Sequence, residues 1–279
     1  MTKILRIGIS PCPNDTFIFH ALLHGLVEAP ARFDPVLADV EVLNGMAGRG
    51  EADVCKLSVA AAAGVLDEYV LLRSGGAMGY GVGPILVARE GVRLDTLDRR
   101  RVAIPGRMTT ANLLFGLCCR EKGVEPERVE MVFDEVMPAV NRGDVAAGLV
   151  IHEGRFTFAE HGLTRLLDLG DWWERSRGLP IPLGAIAVRR SLGLELIREL
   201  DEAVRRSILH ARENPGAGRE WIRSHAQEMD ERVIARHIET FVTDYSLDVG
   251  EEGERAVTAL LREACREAGR RPPQGGAFD

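Results

Sequence analysis

The side chain in this chain best placed for chemistry is His152, in the stretch GLVIHEGRF. The residues before it read as a buried strand, and an imidazole at the carboxyl end of such a strand is hard to explain by packing alone. Imidazole titrates near neutrality and takes a proton from carbon or oxygen once a substrate atom comes within hydrogen-bonding reach. A histidine satisfied inside a core is the plain alternative, and the strand-end location favours a base. Glu153 either orients the ring or pairs with Arg155, and the sequence leaves both open.

Three other stretches offer groups that grip an anion. In PGRMTTANLL, Thr109 and Thr110 stand where a helix begins, so their hydroxyls and the nearby amides are aimed at whatever lies beyond the strand end. In CKLSVAAAAG, Lys56 and Ser58 close a strand before an alanine-rich helix. In SPCPNDTFIFHALLHG, two prolines stiffen the turn that leaves the first strand, from Ser10. There Asn14, Asp15 or Thr16 is expected to cap the next helix and leave a row of backbone donors. Each of these groups is also an ordinary cap.

Other candidates fit worse. His20 and His24 are spaced to share a metal on one helix face, but neither an HExxH pattern nor a third ligand accompanies them, so no metal is expected. The glycine-rich RSGGAMGYGVGP matches no phosphate-binding loop and reads as a hinge or a place of close backbone approach. Trp172 and Trp173 read as packing anchors, although an indole face can cover a flat ligand.

These groups need a scaffold, and the pattern around them supplies one. Short β-rich runs alternate with longer helical patterns, as in an α/β protein with parallel strands. The order recurs within the chain. LRIGIS and RVAIP are both strands followed by a Pro/Gly loop and a helix; GRGEADVCKLS and NRGDVAAGLVIHE both close a helix with Arg-Gly-acid and enter a strand. GPILVARE (83–90) and PLGAIAVRRS (182–191) form a third pair and are expected to be the two crossings between lobes. On that scheme residues 1–91 and 183–279 build one lobe, with the C-terminal helices packed on it, and 92–182 build the other. Asp248 and Glu251 have capping-box spacing before a terminal helix with an Ala256, Leu260, Ala264 stripe. The tail RRPPQGGAFD is expected to be irregular.

Composition narrows the function classes. With 279 residues and a formal net charge of -7, the chain lacks the dense cationic face that a nucleic-acid backbone requires. Its one basic cluster, Arg99 to Arg101, reads as a solvated turn. No apolar run suits a signal peptide or a membrane span, so no membrane partner and a cytoplasmic location are expected. Five cysteines without CxxC spacing fit a reducing compartment, as small buried hydrophobes. Oligomeric state is not legible.

Taken together, SPCPNDTFIFHALLHG, KLS, RSGGAMGYGVGP, PGRMTTANLL, GLVIHEGRF and PLGAIAVRR resemble the 1,4-dihydroxy-6-naphthoate synthase family of the futalosine route to menaquinone, over nearly the whole chain. The resemblance implies a two-lobed α/β fold like that of type II periplasmic binding proteins, with a ligand cleft between the lobes. It implies a lyase that cleaves cyclic dehypoxanthinylfutalosine without metal or organic cofactor, with His152 as base. It places substrate contacts on Lys56, Leu57 and Ser58 and on Thr109 and Thr110, with the Ser10 to Asn14 turn lining the same cleft. The partner so implied is a small carboxylated molecule. The competing readings are a solute-binding protein without catalysis, whose export signal is missing, and the related chorismate dehydratase, against which the Pro-Cys-Pro-Asn-Asp turn speaks.

Overall fold

The structure, a computed structural model, describes residues 3–226, 230–271 and 276–278. The expectation of an irregular tail falls partly outside these, at 272–275 and 279. Within the tail Ala277 is buried, and its carbonyl accepts from the Leu71 amide at 2.8 Å.

The chain divides into two compact units, Met1–Gly79 with Pro182–Asp279, and Tyr80–Ile181. The first stretch contributes β1 (Ile4–Ile9), β2 (Arg32–Leu37), β3 (Val54–Ser58), β4 (Tyr69–Leu71) and β5 (Ala77–Gly79). The second unit contains β6 (Ile85–Ala88), β7 (Arg101–Ile104), β8 (Glu127–Glu130), β9 (Ala147–Val150) and β10 (Thr164–Asp168), and the chain returns along β11 (Ile181–Arg189).

In the first unit the strand order is β2-β1-β3-β11-β4, with β5 against β11. Here β1 runs parallel to β2 and β3, while β11 is antiparallel to β3 and β4. The second sheet has the order β10-β6-β9-β7-β8, with β7 parallel to β8 and β9, and β6 antiparallel to β9. Four adjacent strands therefore repeat one plan, β2-β1-β3-β11 in one sheet and β8-β7-β9-β6 in the other. Each sequence echo falls on an equivalent pair: β1 with β7, β3 with β9, and β11 with β6. The GPILVARE stretch supplies β6, which pairs with β9 and β10 inside the second sheet.

Parallel strands are buried on both faces and so carry apolar runs. In β1, Leu5, Ile7 and Ile9 are wholly buried in a cluster with Ile18 and Phe19 of the helix Pro13–Leu23 and with Leu200, Ala203, Val204 and Ile208 of the helix Leu194–Glu213. The spacing of three and four in that last set is the helical stripe read from sequence. In the second unit, β9 lies directly under the helix Phe133–Arg142, and a Cβ on Gly148 would come within 2.5 Å of Val136. The helix Gly250–Glu267 buries Ala256, Leu260 and Ala264 as expected and packs on the helix Val59–Ala62 that follows Ser58. Its N-cap is Val249, not Asp248, whose carboxylate instead takes the Gly250 amide at 2.7 Å and pairs with Arg73 at 2.9 Å. No helix among the described residues is long and apolar enough to cross a membrane.

Candidate active site

At the carboxyl end of β1 the chain turns through Ser10, Pro11 and Cys12 into the helix Pro13–Leu23. Pro13 takes the first helical position, where a missing N–H costs nothing. None of Asn14, Asp15 or Thr16 is the cap; Cys12 holds that place, and its side chain does not cap the helix. Nor does the turn present a row of free donors, because the Asp15 and Thr16 amides both bond the Cys12 carbonyl, at 3.1 and 3.0 Å. Instead Asp15 reaches back. Its carboxylate, 1% exposed, accepts from the Ser10 hydroxyl at 2.6 Å, the Ser10 amide at 3.3 Å and Asn14 Nδ2 at 2.8 Å.

Lys56 comes to the same carboxylate from β3, with Nζ 2.8 Å from Asp15 Oδ1. Strand alternation puts Lys56 and Ser58 on one face and the wholly buried Leu57 on the other, so any contact at that position is through the backbone. Gly184 on β11 makes room for the lysine stem, since a Cβ there would come within 2.9 Å of Lys56 Cε. Nζ also donates to the Gly75 carbonyl at 3.3 Å, within the RSGGAMGYGVGP stretch. A lysine ammonium has three donors, and among the described residues Asp15 and Gly75 take two of them. Ser58 is tied to Asn44, its amide 2.8 Å from Oδ1 and its hydroxyl 3.2 Å from Nδ2.

In the second unit the turn after β7 ends at Thr109, the N-cap of the helix Thr110–Glu121. The Thr109 hydroxyl accepts from the Asn112 amide at 3.1 Å and donates to the Gly106 carbonyl at 2.8 Å. Its single proton is therefore used within the turn. Thr110, also buried, is the first helical residue. Asn112 braces the turn further through Nδ2 to the Arg107 carbonyl at 2.8 Å.

The parallel neighbour β9 ends at Val150 on the same edge of this sheet, and His152 follows in the left-handed region at φ 52°. A non-glycine residue held there costs about 1–2 kcal/mol, which the packing of the turn must offset. Its ring is half-buried, edge-on to Phe133 at 5.1 Å between centroids, and so not sealed in the core. Gly154 lets the turn close, because a Cβ would come within 2.3 Å of Val150 Cγ1. Arg155 secures it from beyond, pairing with Asp168 at 2.8 Å and bonding the carbonyls of Gly81 and Gly83.

Ser10, Asn14 and Lys56 are thus joined through Asp15, Ser58 is held beside them by Asn44, and Thr109, Thr110 and His152 share one edge of the other sheet. His20 and His24 stack at 4.5 Å, and burial, then the charges of His24 and His210, holds His20 below the usual histidine range. Among the described residues no group of three His, Cys, Asp or Glu side chains could hold a metal ion. Trp173 is wholly buried and donates to the Pro180 carbonyl at 3.1 Å, while Trp172 donates to Glu121. Gly83 is a place of close approach, where a Cβ would come within 2.3 Å of the Gly170 backbone.

Sequence reasoning missed Asn44 and His237, and took Asp15 for a possible cap. Asn44 leaves a trace, a buried amide inside the apolar VEVLNGMAG helix. His237 leaves none; it arrives from the helix Glu231–Phe241, wholly buried, with Nε2 2.9 Å from Asn14 Oδ1.

A family model described as menaquinone biosynthesis matches residues 5–266. The chain is 55% identical over 262 residues to a 1,4-dihydroxy-6-naphthoate synthase of Thermus thermophilus, with 94% of each chain covered. It is 48% identical over 265 residues to the enzyme of the same name from Streptomyces coelicolor, covering 94% of this chain and 93% of that one. Among solved structures, a protein of Archaeoglobus fulgidus superposes with TM-score 0.87 at 38% identity, over 95% of this chain and 98% of that one. The ligand-binding component of an ABC-type import system from Staphylococcus aureus superposes with TM-score 0.71 at 14% identity, over 97% and 94% of the two chains, a likeness of fold alone. The fold is thus that of the two-lobed periplasmic binding proteins, and by its sequence the chain belongs to the menaquinone-biosynthesis family.

Proposed function

We propose that the chain is a 1,4-dihydroxy-6-naphthoate synthase, a carbon–carbon lyase that converts cyclic dehypoxanthinylfutalosine to 1,4-dihydroxy-6-naphthoate in the cytoplasm. The two curated relatives are named for making 1,4-dihydroxy-6-naphthoate, which supports the product; the substrate is the one the family resemblance implies. The observation that carries the mechanism is the half-buried His152, held in a left-handed turn on the sheet edge that also bears the Thr109 turn.

In this reading His152 removes a proton next to a substrate ketone to give an enolate. Carbon–carbon cleavage releases the sugar-derived fragment, and formation of the aromatic ring makes the overall step downhill. Amides of the Thr109 and Thr110 turn receive the negative charge that develops, or the substrate carboxylate, and are already oriented before the reaction. The family resemblance also implies substrate contacts at Lys56 and Ser58 and along the Ser10 to Asn14 turn.

The test is incubation of the purified protein with the cyclic futalosine derivative while the naphthoate chromophore is followed. Chromophore growth that His152→Ala slows by about two to four orders of magnitude is the expected result. Recovery of the bound compound with unchanged mass sinks the reading in favour of ligand capture alone.

A further inference from the structure

The contact between His237 and Asn14 joins residues 223 apart in sequence, and the surrounding atoms determine where its proton lies. The Asp15 carboxylate only accepts, so the end of the Asn14 amide lying 2.8 Å from Asp15 Oδ1 is Nδ2. Its other end, Oδ1, then faces His237 and also only accepts, so His237 Nε2 carries a proton. The bonds run in one sense: His237 Nε2–H to Asn14 Oδ1, Asn14 Nδ2–H to Asp15 Oδ1, and Lys56 Nζ–H to that same Oδ1. Rotating the Asn14 amide would place oxygen against carboxylate on one side and donor against donor on the other. The imidazole is itself held by the Phe241 ring at 4.7 Å.

Asp15 Oδ1 is therefore shared between Asn14 and Lys56. While Asn14 donates to it, part of its charge is satisfied and Lys56 keeps charge for a ligand. Should Asn14 turn away, Lys56 would be left as the main donor to that oxygen, and the pair, already 2.8 Å long, would hold the ammonium more strongly. We propose that His237 is a positioning residue, which locks the Asn14 amide and through Asp15 keeps the Lys56 ammonium set for the carboxylated ligand. The proposal rests on the reading of Lys56 as a ligand contact.

The test compares His237→Leu, which removes the N–H, with His237→Gln, whose Nε2 can replace it, using cyclic dehypoxanthinylfutalosine as substrate. Loss of one buried hydrogen bond is worth a factor of about 10, so the leucine variant is expected to raise KM about tenfold while kcat holds. Glutamine should recover most of that loss. In the labelled wild-type protein, nitrogen–proton NMR should show an exchange-protected His237 Nε2–H.

An unmoved KM in a folded leucine variant overturns the proposal. So does equal loss in the leucine and glutamine variants, or an Nε2 without its proton, which is read on the unmutated protein even if the variants fail to fold. Failure of the wild type to consume the compound overturns the functional reading first, and the NMR result still stands apart from it.

Discussion

Lys56 and Asp15 form an ion pair 2.8 Å long whose side chains are 6% and 1% exposed. A buried pair of this kind contributes little net stability as a pair, but removing one partner strands the other, at a cost of about 3–5 kcal/mol. The two partners are not equivalent. Asp15 also accepts from Ser10 and Asn14, whereas the only carboxylate bonded to Lys56 among the described residues is Asp15.

Asp15→Ala should therefore lose about 3–5 kcal/mol in urea denaturation, and Lys56→Met clearly less. Equal losses would show that the carboxylate is not buffered by its other donors.

At His152 the backbone and the imidazole make separable demands. His152→Ala is expected to lower turnover by about two to four orders of magnitude, the usual share of a positioned base. His152→Gly should lose the same activity but be more stable than the alanine variant by roughly 1 kcal/mol, since glycine enters the left-handed region without strain. Thermal midpoints for the two check this, and an alanine variant as stable as the glycine one contradicts the assigned turn.

Thr109→Val removes an N-cap and the bond to Gly106, so about 1 kcal/mol of stability should go with it. KM should rise more than kcat falls, because the turn's amides lose their brace, and Thr109→Ser should restore both. If the valine variant binds normally, the anion contact lies elsewhere.

The cysteines should be inert in the folded protein. Cys12, Cys55, Cys118, Cys119 and Cys265 are all buried thiols, none in a disulfide. Burial pushes Cys55 and Cys119 up to about 12 and Cys118 to about 11, where almost no thiolate exists at pH 8. A disulfide reagent at that pH should find essentially no thiol until denaturant is added, then five. Rapid native labelling of Cys55 would contradict its burial.

The Arg73 guanidinium, by hydrogen bonding, holds the Asp248 carboxyl below its ordinary value. A depressed carboxyl adds stability above its unfolded pKa, about 3.9, and that contribution fades as pH falls through the folded value. Arg73→Ala should therefore flatten the acid limb of the stability curve and leave its shape near pH 7 unchanged. Parallel limbs for wild type and variant would remove Asp248 from the acid response.

Local rules in the chain were enough for much of this protein. Periodicity marks the strands and helices, Arg-Gly-acid signals align β3 with β9, and an imidazole just past an apolar strand singles out His152, because each depends on neighbours within a few residues. Thr109 as a cap was legible for the same reason. Only the tertiary structure decided how the polar groups are used. Asp15 has a cap's chemistry and spacing, yet Ser10 and Lys56 claim its oxygens once β1 and β3 pair side by side. Arg155 pairs with Asp168 because the strand ends bring them together. His237 meets Asn14 only when the helix Glu231–Phe241 docks against the first turn. Hydrogen-bond direction in a buried group is settled by every donor and acceptor present at once, and these come from parts of the chain that share no local signal.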